Sequence, residues 1–125
     1  MEWILWADDL KTVLEEIPLD KNSYVIILTG SWKMDEFILK SLLKREYKYL
    51  GIIGSKKKLK THYDNLIDEG FQRGDFNRTY SPIGIPIGAY SPHEIAVSIL
   101  AEVIAVEKGV RDQLPGWKNA ISLRD

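Results

Sequence analysis

Tyr49-Leu50-Gly51-Ile52-Ile53-Gly54-Ser55-Lys56-Lys57-Lys58 passes from an apolar strand through a glycine-serine turn into a helix start. A second stretch repeats the pattern. Pro82-Ile83-Gly84-Ile85-Pro86-Ile87-Gly88-Ala89 leads into Ser91-Pro92-His93-Glu94, and Ile95-Ala96-Val97-Ser98-Ile99 comes next. Strand, tight turn and helix N-terminus is the geometry α/β proteins use to hold anions and nucleotides.

The flanking sequence supports this reading. Tyr24-Val25-Ile26-Ile27-Leu28-Thr29 is a continuous β-branched run, which predicts a central strand covered on both faces of a parallel sheet. Gly30-Ser31 turns the chain into a helix over about residues 33–45, with Met34, Phe37, Ile38, Leu42 and Leu43 inward. A third helix, about 56–69, places Leu59, Tyr63, Leu66 and Ile67 on one face, and Gly70 stops it. Residues 71–77 read as a connecting turn and 78–83 as a short last strand. Upstream, Glu2 to Trp6 reads as a strand, with Asp8 or Asp9 capping the next helix. Leu10, Val13, Leu14 and Ile17 form its apolar stripe, and Pro18 ends it. The alternation predicts an α/β fold: an incomplete Rossmann-like parallel sheet of about four strands with helices on both faces.

The final helix, reaching about Lys108, is apolar around most of its circumference. Glu94, Ser98 and Glu102 leave one polar stripe at i+4 spacing. Such a helix is buried on more than one side, and a partner subunit would cover the second side. Residues 110–125 show no period.

Composition narrows the function classes. The 125 residues suit one domain. A net charge of −1 and dispersed tryptophans give no nucleic-acid surface. The absence of cysteine excludes disulfide and thiolate chemistry. No apolar run approaches the ~20 residues of a membrane span, and the N-terminus lacks a signal-peptide pattern. The expectation is a cytoplasmic protein.

Among candidate site residues, Gly54, Ser55 and Lys56 stand where a helix dipole attracts phosphate; the bland alternative is a tight turn with a Ser55 cap. Gly84, Gly88 and Ala89 allow close approach of a ligand or of a packed helix. Thr29 and Ser31 end a strand at the edge where open sheets bind ligands. Ser91 and Glu94 have capping-box spacing, so Glu94 reads as a cap. His62 and His93 lie apart, without a metal-binding spacing, and read as surface or local hydrogen-bonding residues. No catalytic triad and no metal site is expected.

Taken in order, these stretches resemble the Rossmann-type C-terminal domain of the XdhC/CoxI family, maturation factors for molybdenum hydroxylases such as xanthine dehydrogenase. The resembling residues are Tyr24–Thr29, Tyr49–Lys58, Glu69–Phe71, Pro82–Ala89 and Ser91–Glu102, spanning about 24–109. The resemblance implies binding and transfer of molybdenum cofactor rather than turnover. Gly54, Ser55 and Lys56, with Thr29 nearby, would contact the pterin phosphate or a nucleotide; Gly84, Gly88 and Ala89 would shape the neighbouring wall. The family's first glycine-rich strand-turn-helix and its cysteine-bearing N-terminal domain have no counterpart here, so NAD binding is not carried over. Thr29-Gly30 replaces the family's frequent Thr-His.

The expected arrangement is one truncated domain: residues 1–23 a leading strand and helix, 24–109 the core, 110–125 an irregular tail. It would form a homodimer through the final helix, with exchanged strands in one variant of that arrangement. A molybdenum hydroxylase or a separately encoded N-terminal half would be the partner, with no nucleic acid and no membrane. The alternatives are a nucleotide- or anion-binding module of the same fold and a non-catalytic dimerisation module, neither with a molybdenum role.

Overall fold

The computed structural model describes residues 10–115. The elements expected at Glu2–Trp6, at the Asp8 or Asp9 cap and beyond Pro115 lie outside the described residues. The order is α1 (Leu10–Glu16), β1 (Tyr24–Ile27), α2 (Trp32–Leu42), β2 (Tyr49–Ile52), α3 (Lys56–Asp68), a 3-10 turn at Arg73–Phe76, β3 (Thr79–Tyr80), α4 (Pro92–Glu107) and a 3-10 turn at Arg111–Gln113. The strands form a parallel sheet in the order β1-β2-β3. This is an incomplete Rossmann-like α/β fold.

Side-chain alternation along β2 divides the core. Leu50 and Ile52 join Ile27 on the face covered by α2 and α3, with Leu39, Leu59, Tyr63 and Leu66. Tyr49 points to the other face and meets Tyr80 together with Val103 and Val106 of α4. Tyr49 stacks on Tyr80 at 4.7 Å and on Tyr24 at 6.0 Å, an aromatic row across the three strands. Gly51 makes room for this row: a Cβ there would lie 2.6 Å from Ile83 and 2.7 Å from the Tyr49 hydroxyl.

Three expectations need correction. β1 is an edge strand among the described residues, not a central one covered on both faces. Ile26 and Leu28 are 43% and 52% exposed, because α4 packs over Tyr49 and Tyr80 and leaves that face of β1 open. On α2, Met34 and Phe37 are exposed while Asp35, Leu39 and Leu42 are buried. The stripe is rotated because the Asp35 carboxylate turns inward to accept from Thr29. For His62 the surface reading fails and the hydrogen-bonding one holds with a partner distant in sequence: it is buried, and its Nδ1 meets Glu36 Oε1 at 2.9 Å, joining α3 to α2.

The last strand is shorter than expected, since only Thr79 and Tyr80 pair with β2. Arg45 ties α1 to the end of α2: its guanidinium donates to the Leu14 and Ile17 carbonyls at 2.9 and 2.6 Å. Those carbonyls lie at the helix C-terminus, where a cation is favoured. Among the described residues no helix is long and apolar enough to cross a membrane.

Candidate functional site

A cleft of about 390 Å³ opens where β2 and β3 end. Gly54 and Lys56 form one side. The loop from Pro82 to Ala89 forms the other, and Ile95 and Ser98 of α4 close the back. Parallel-sheet topology explains the place: both strands point the same way, so both of their exit turns and the helix N-termini beyond them meet at one edge.

Each turn is built locally. Gly54 has φ +147°, a conformation that L side chains rarely adopt, and it lets the chain leave β2. Ser55 then caps α3, its Oγ accepting from the Lys58 N–H at 3.2 Å. The first turn of α3, with its positive dipole end, thus borders the cleft beside Lys56.

Across the cleft, three consecutive amides anchor the loop. Ile83 donates to Ile52 O, Gly84 to Glu102 Oε1 and Ile85 to Ser98 O, at 3.0, 3.0 and 3.2 Å. Gly84, at φ +95°, touches α4 so closely that a Cβ would lie 2.5 Å from Ser98 Oγ. Gly88, at φ +75°, has open space around it. The α4 N-terminus carries the expected capping box: Ser91 Oγ accepts from Glu94 N–H, and Glu94 Oε1 accepts from the Ser91 and Tyr90 amides. Those amide hydrogen bonds hold the Glu94 carboxyl below its ordinary pKa.

Of the residues named from sequence, Gly54, Lys56, Gly84, Gly88 and Ala89 line this cleft together. Ser55 does not; its hydroxyl serves the helix cap. Thr29 stands apart too. Its N–H and its Oγ1 donate to Asp35 Oδ1 at 2.9 and 2.6 Å, a local turn at the end of β1. Ser31 caps α2 by accepting from Met34 N–H.

Sequence reasoning passed over Glu102, Tyr49 and Arg111 as site-building groups. The polar stripe of α4 faces inward, with Ser98 and Glu102 buried, while Val97, Leu100 and Ile104 face outward at 58%, 58% and 55% exposure. Glu102 accepts from Tyr49 Oη at 2.6 Å and from Arg111 Nε at 2.9 Å, besides Gly84. The i+4 polar spacing on an otherwise apolar helix was the available signal.

Residues 3–103 match the profile of the XdhC Rossmann domain. The chain belongs to this family. An XdhC-type domain agrees with the parallel sheet and with the glycine turns at the strand ends. The domain is 32% identical over 109 residues to a protein of Bacillus subtilis (strain 168) named as a probable xanthine dehydrogenase subunit, covering 83% of this chain and 31% of that protein. It is 28% identical over 98 residues to the molybdenum cofactor insertion chaperone PaoD of Escherichia coli (strain K12), covering 78% and 31%. It is also 29% identical over 104 residues to the uncharacterized protein YqeB of the same strain, covering 83% and 19%. Among solved structures, a xanthine dehydrogenase from Bacillus halodurans aligns with a TM-score of 0.66 and 31% identity, over 81% of this chain and 28% of that one. This XdhC domain therefore spans a third or less of each of these relatives.

Proposed function

We propose that this domain binds the molybdenum cofactor as cargo and assists its passage to a xanthine-dehydrogenase-type molybdenum hydroxylase in the cytoplasm. The observation that carries the reading is the meeting of Gly54 and Lys56 with Gly84, Gly88 and Ser98 across one cleft. A pterin phosphate needs an anion cradle and a flat apolar wall. The α3 N-terminus with Lys56 supplies the first, and Ile83, Ile85, Ile87 and Ile95 supply the second. The names of two relatives, a cofactor insertion chaperone and a probable xanthine dehydrogenase subunit, support the same cargo. Binding and release are the task, and Ser55 and Thr29 act by shaping their turns.

The test is equilibrium dialysis of the chain against molybdopterin released from a molybdoenzyme, with bound pterin measured by fluorescence after oxidation. Saturable binding that inorganic phosphate weakens is expected. Binding of ATP or NAD with no pterin binding would replace this reading with that of a nucleotide-binding module.

The domain, with its core at residues 24–109, works as a pair of copies in this proposal. The outward stripe Val97, Leu100 and Ile104, and Ile26 and Leu28 beside β1, an edge strand among the described residues, expose apolar surface that a second copy would cover. Sedimentation velocity tests this: dimer is expected at micromolar concentration, monomer for Leu100→Glu, and a monomeric unmodified chain would remove the pairing. Co-purification with a molybdenum hydroxylase, or with a separately encoded half, tests the partner.

A further inference from the structure

Glu102 has no accessible surface. An ionisable side chain in that position is costly unless its oxygens are satisfied. Three donors satisfy them: Tyr49 Oη, the Gly84 N–H and Arg111 Nε. Burial, and then the hydrogen bond to Glu102, push Tyr49's pKa far above the usual phenol range, so its hydroxyl keeps the proton it donates. Arg111 is itself buried and also donates to the Leu114 and Pro115 carbonyls. Two of the donors thus come from the packed interior. The third is the backbone of the cleft wall.

That third bond matters because the chain beyond it is sparsely held. Ile83, Gly84 and Ile85 are anchored to β2, to Glu102 and to α4 in turn. From Pro86 to Ala89, among the described residues, the loop's amides make one hydrogen bond, Ile87 N–H to Ile85 O. The wall therefore hangs from the Ile83–Ile85 anchor, and its middle point is held by a side chain. We propose that Glu102 is the positioning residue of the cleft: its carboxylate, held by Tyr49 and Arg111, sets where the Gly84 amide stands and so where a ligand meets the wall. This rests on the cleft being the cargo site.

Amide exchange on the full chain by NMR reads the anchor directly. In the unmodified chain the Gly84 amide exchanges at least about tenfold more slowly than that of Gly88. Glu102→Leu, which has no acceptor, and Glu102→Asp remove that protection at Gly84 while leaving the amides of Leu59 and Tyr63 in the other core protected. Glu102→Asp keeps a charge opposite Arg111, so it preserves the fold if Glu102→Leu does not. Leu39→Val in the other core is the control: it lowers stability but keeps the Glu102–Gly84 bond, so Gly84 stays protected. In the dialysis experiment Glu102→Asp binds molybdopterin at least about tenfold more weakly and Leu39→Val within about twofold, a split of about fivefold or more, ~1 kcal/mol.

Unchanged Gly84 protection in both Glu102 variants would overturn the proposal. So would equal losses in Leu39→Val, because Glu102 would then be one core group among others. Full pterin affinity in Glu102→Asp would overturn it as well. If the unmodified chain binds no pterin while Gly84 exchange behaves as stated, the cargo reading fails and the positioning of the wall stands.

Discussion

Gly84 stands against Ser98 with no room for a side chain: a Cβ on Gly84 would lie 2.5 Å from Ser98 Oγ and 3.2 Å from Ser98 Cβ. The contact joins the cleft loop to α4 at the point where both border the cleft. Gly84→Ala therefore meets two penalties, the positive φ and the collision. The backbone part alone is about 1–2 kcal/mol. Urea unfolding will show Gly84→Ala destabilised by more than that, and Gly84→Ala with Ser98→Ala destabilised less than the sum of the two single changes.

Arg111 and Glu102 form a buried ion pair at 2.9 Å, with side chains 5% and 0% exposed. Removing one partner leaves the other charged and unpaired in the interior, a loss of about 3–5 kcal/mol. Arg111→Met is expected to lower unfolding free energy by that order. Replacing both residues by apolar ones will recover much of the loss.

Lys56 lines the cleft and Lys57 does not. Under the proposed function, Lys56→Ala weakens pterin binding by about tenfold, the value of one charge-assisted hydrogen bond at ~1.5 kcal/mol. Lys57→Ala leaves binding within about twofold. Dialysis of the two variants side by side checks this, and equal effects would place the phosphate elsewhere.

Two buried tyrosines are expected to lower stability at alkaline pH. Desolvation by burial is the largest cause in both, pushing the Tyr47 hydroxyl up to about 12 and Tyr49 higher still. The folded state keeps these protons while the unfolded chain releases them above its ordinary value of 10.0. Their contribution is thus complete below pH 10.0 and is lost as pH rises through the folded values. Denaturation midpoints will fall between pH 10 and about 12, and Tyr47→Phe will flatten part of that fall.

At the acidic end, Glu94 behaves oppositely. The Ser91 and Tyr90 amides lower its pKa, so its cap is complete above the ordinary value of 4.5 and is lost as pH falls through the lower folded value. NMR titration of the Ser91 and Tyr90 amides will give a midpoint below 4.5. A midpoint at or above 4.5 would mean that the capping box does not persist in solution.

Local patterns made the order of helices and strands within the described residues, the two glycine turns and the α4 capping box readable in the residues themselves. Ser55 and Ser91 cap helices because a hydroxyl at that position meets a nearby N–H, a matter of three residues. The parallel sheet arises from apolar strands alternating with helices. Four of the six proposed ligand contacts, Gly54, Lys56, Gly84 and Gly88, stand on one cleft because parallel strands bring their exits to one edge.

Beyond local pattern lay the facing of side chains. The run Tyr24–Thr29 is apolar on both faces, but periodicity does not say which neighbours exist to cover it, and among the described residues β1 stands at an edge. Thr29 was drawn from the cleft by Asp35, whose inward turn also rotated the buried stripe of α2. On α4 the polar stripe faces inward because Glu102 finds Tyr49, Gly84 and Arg111, partners separated from it by 53, 18 and 9 residues. A charged side chain goes inside only where distant donors converge on it, and that convergence is a property of the packed chain.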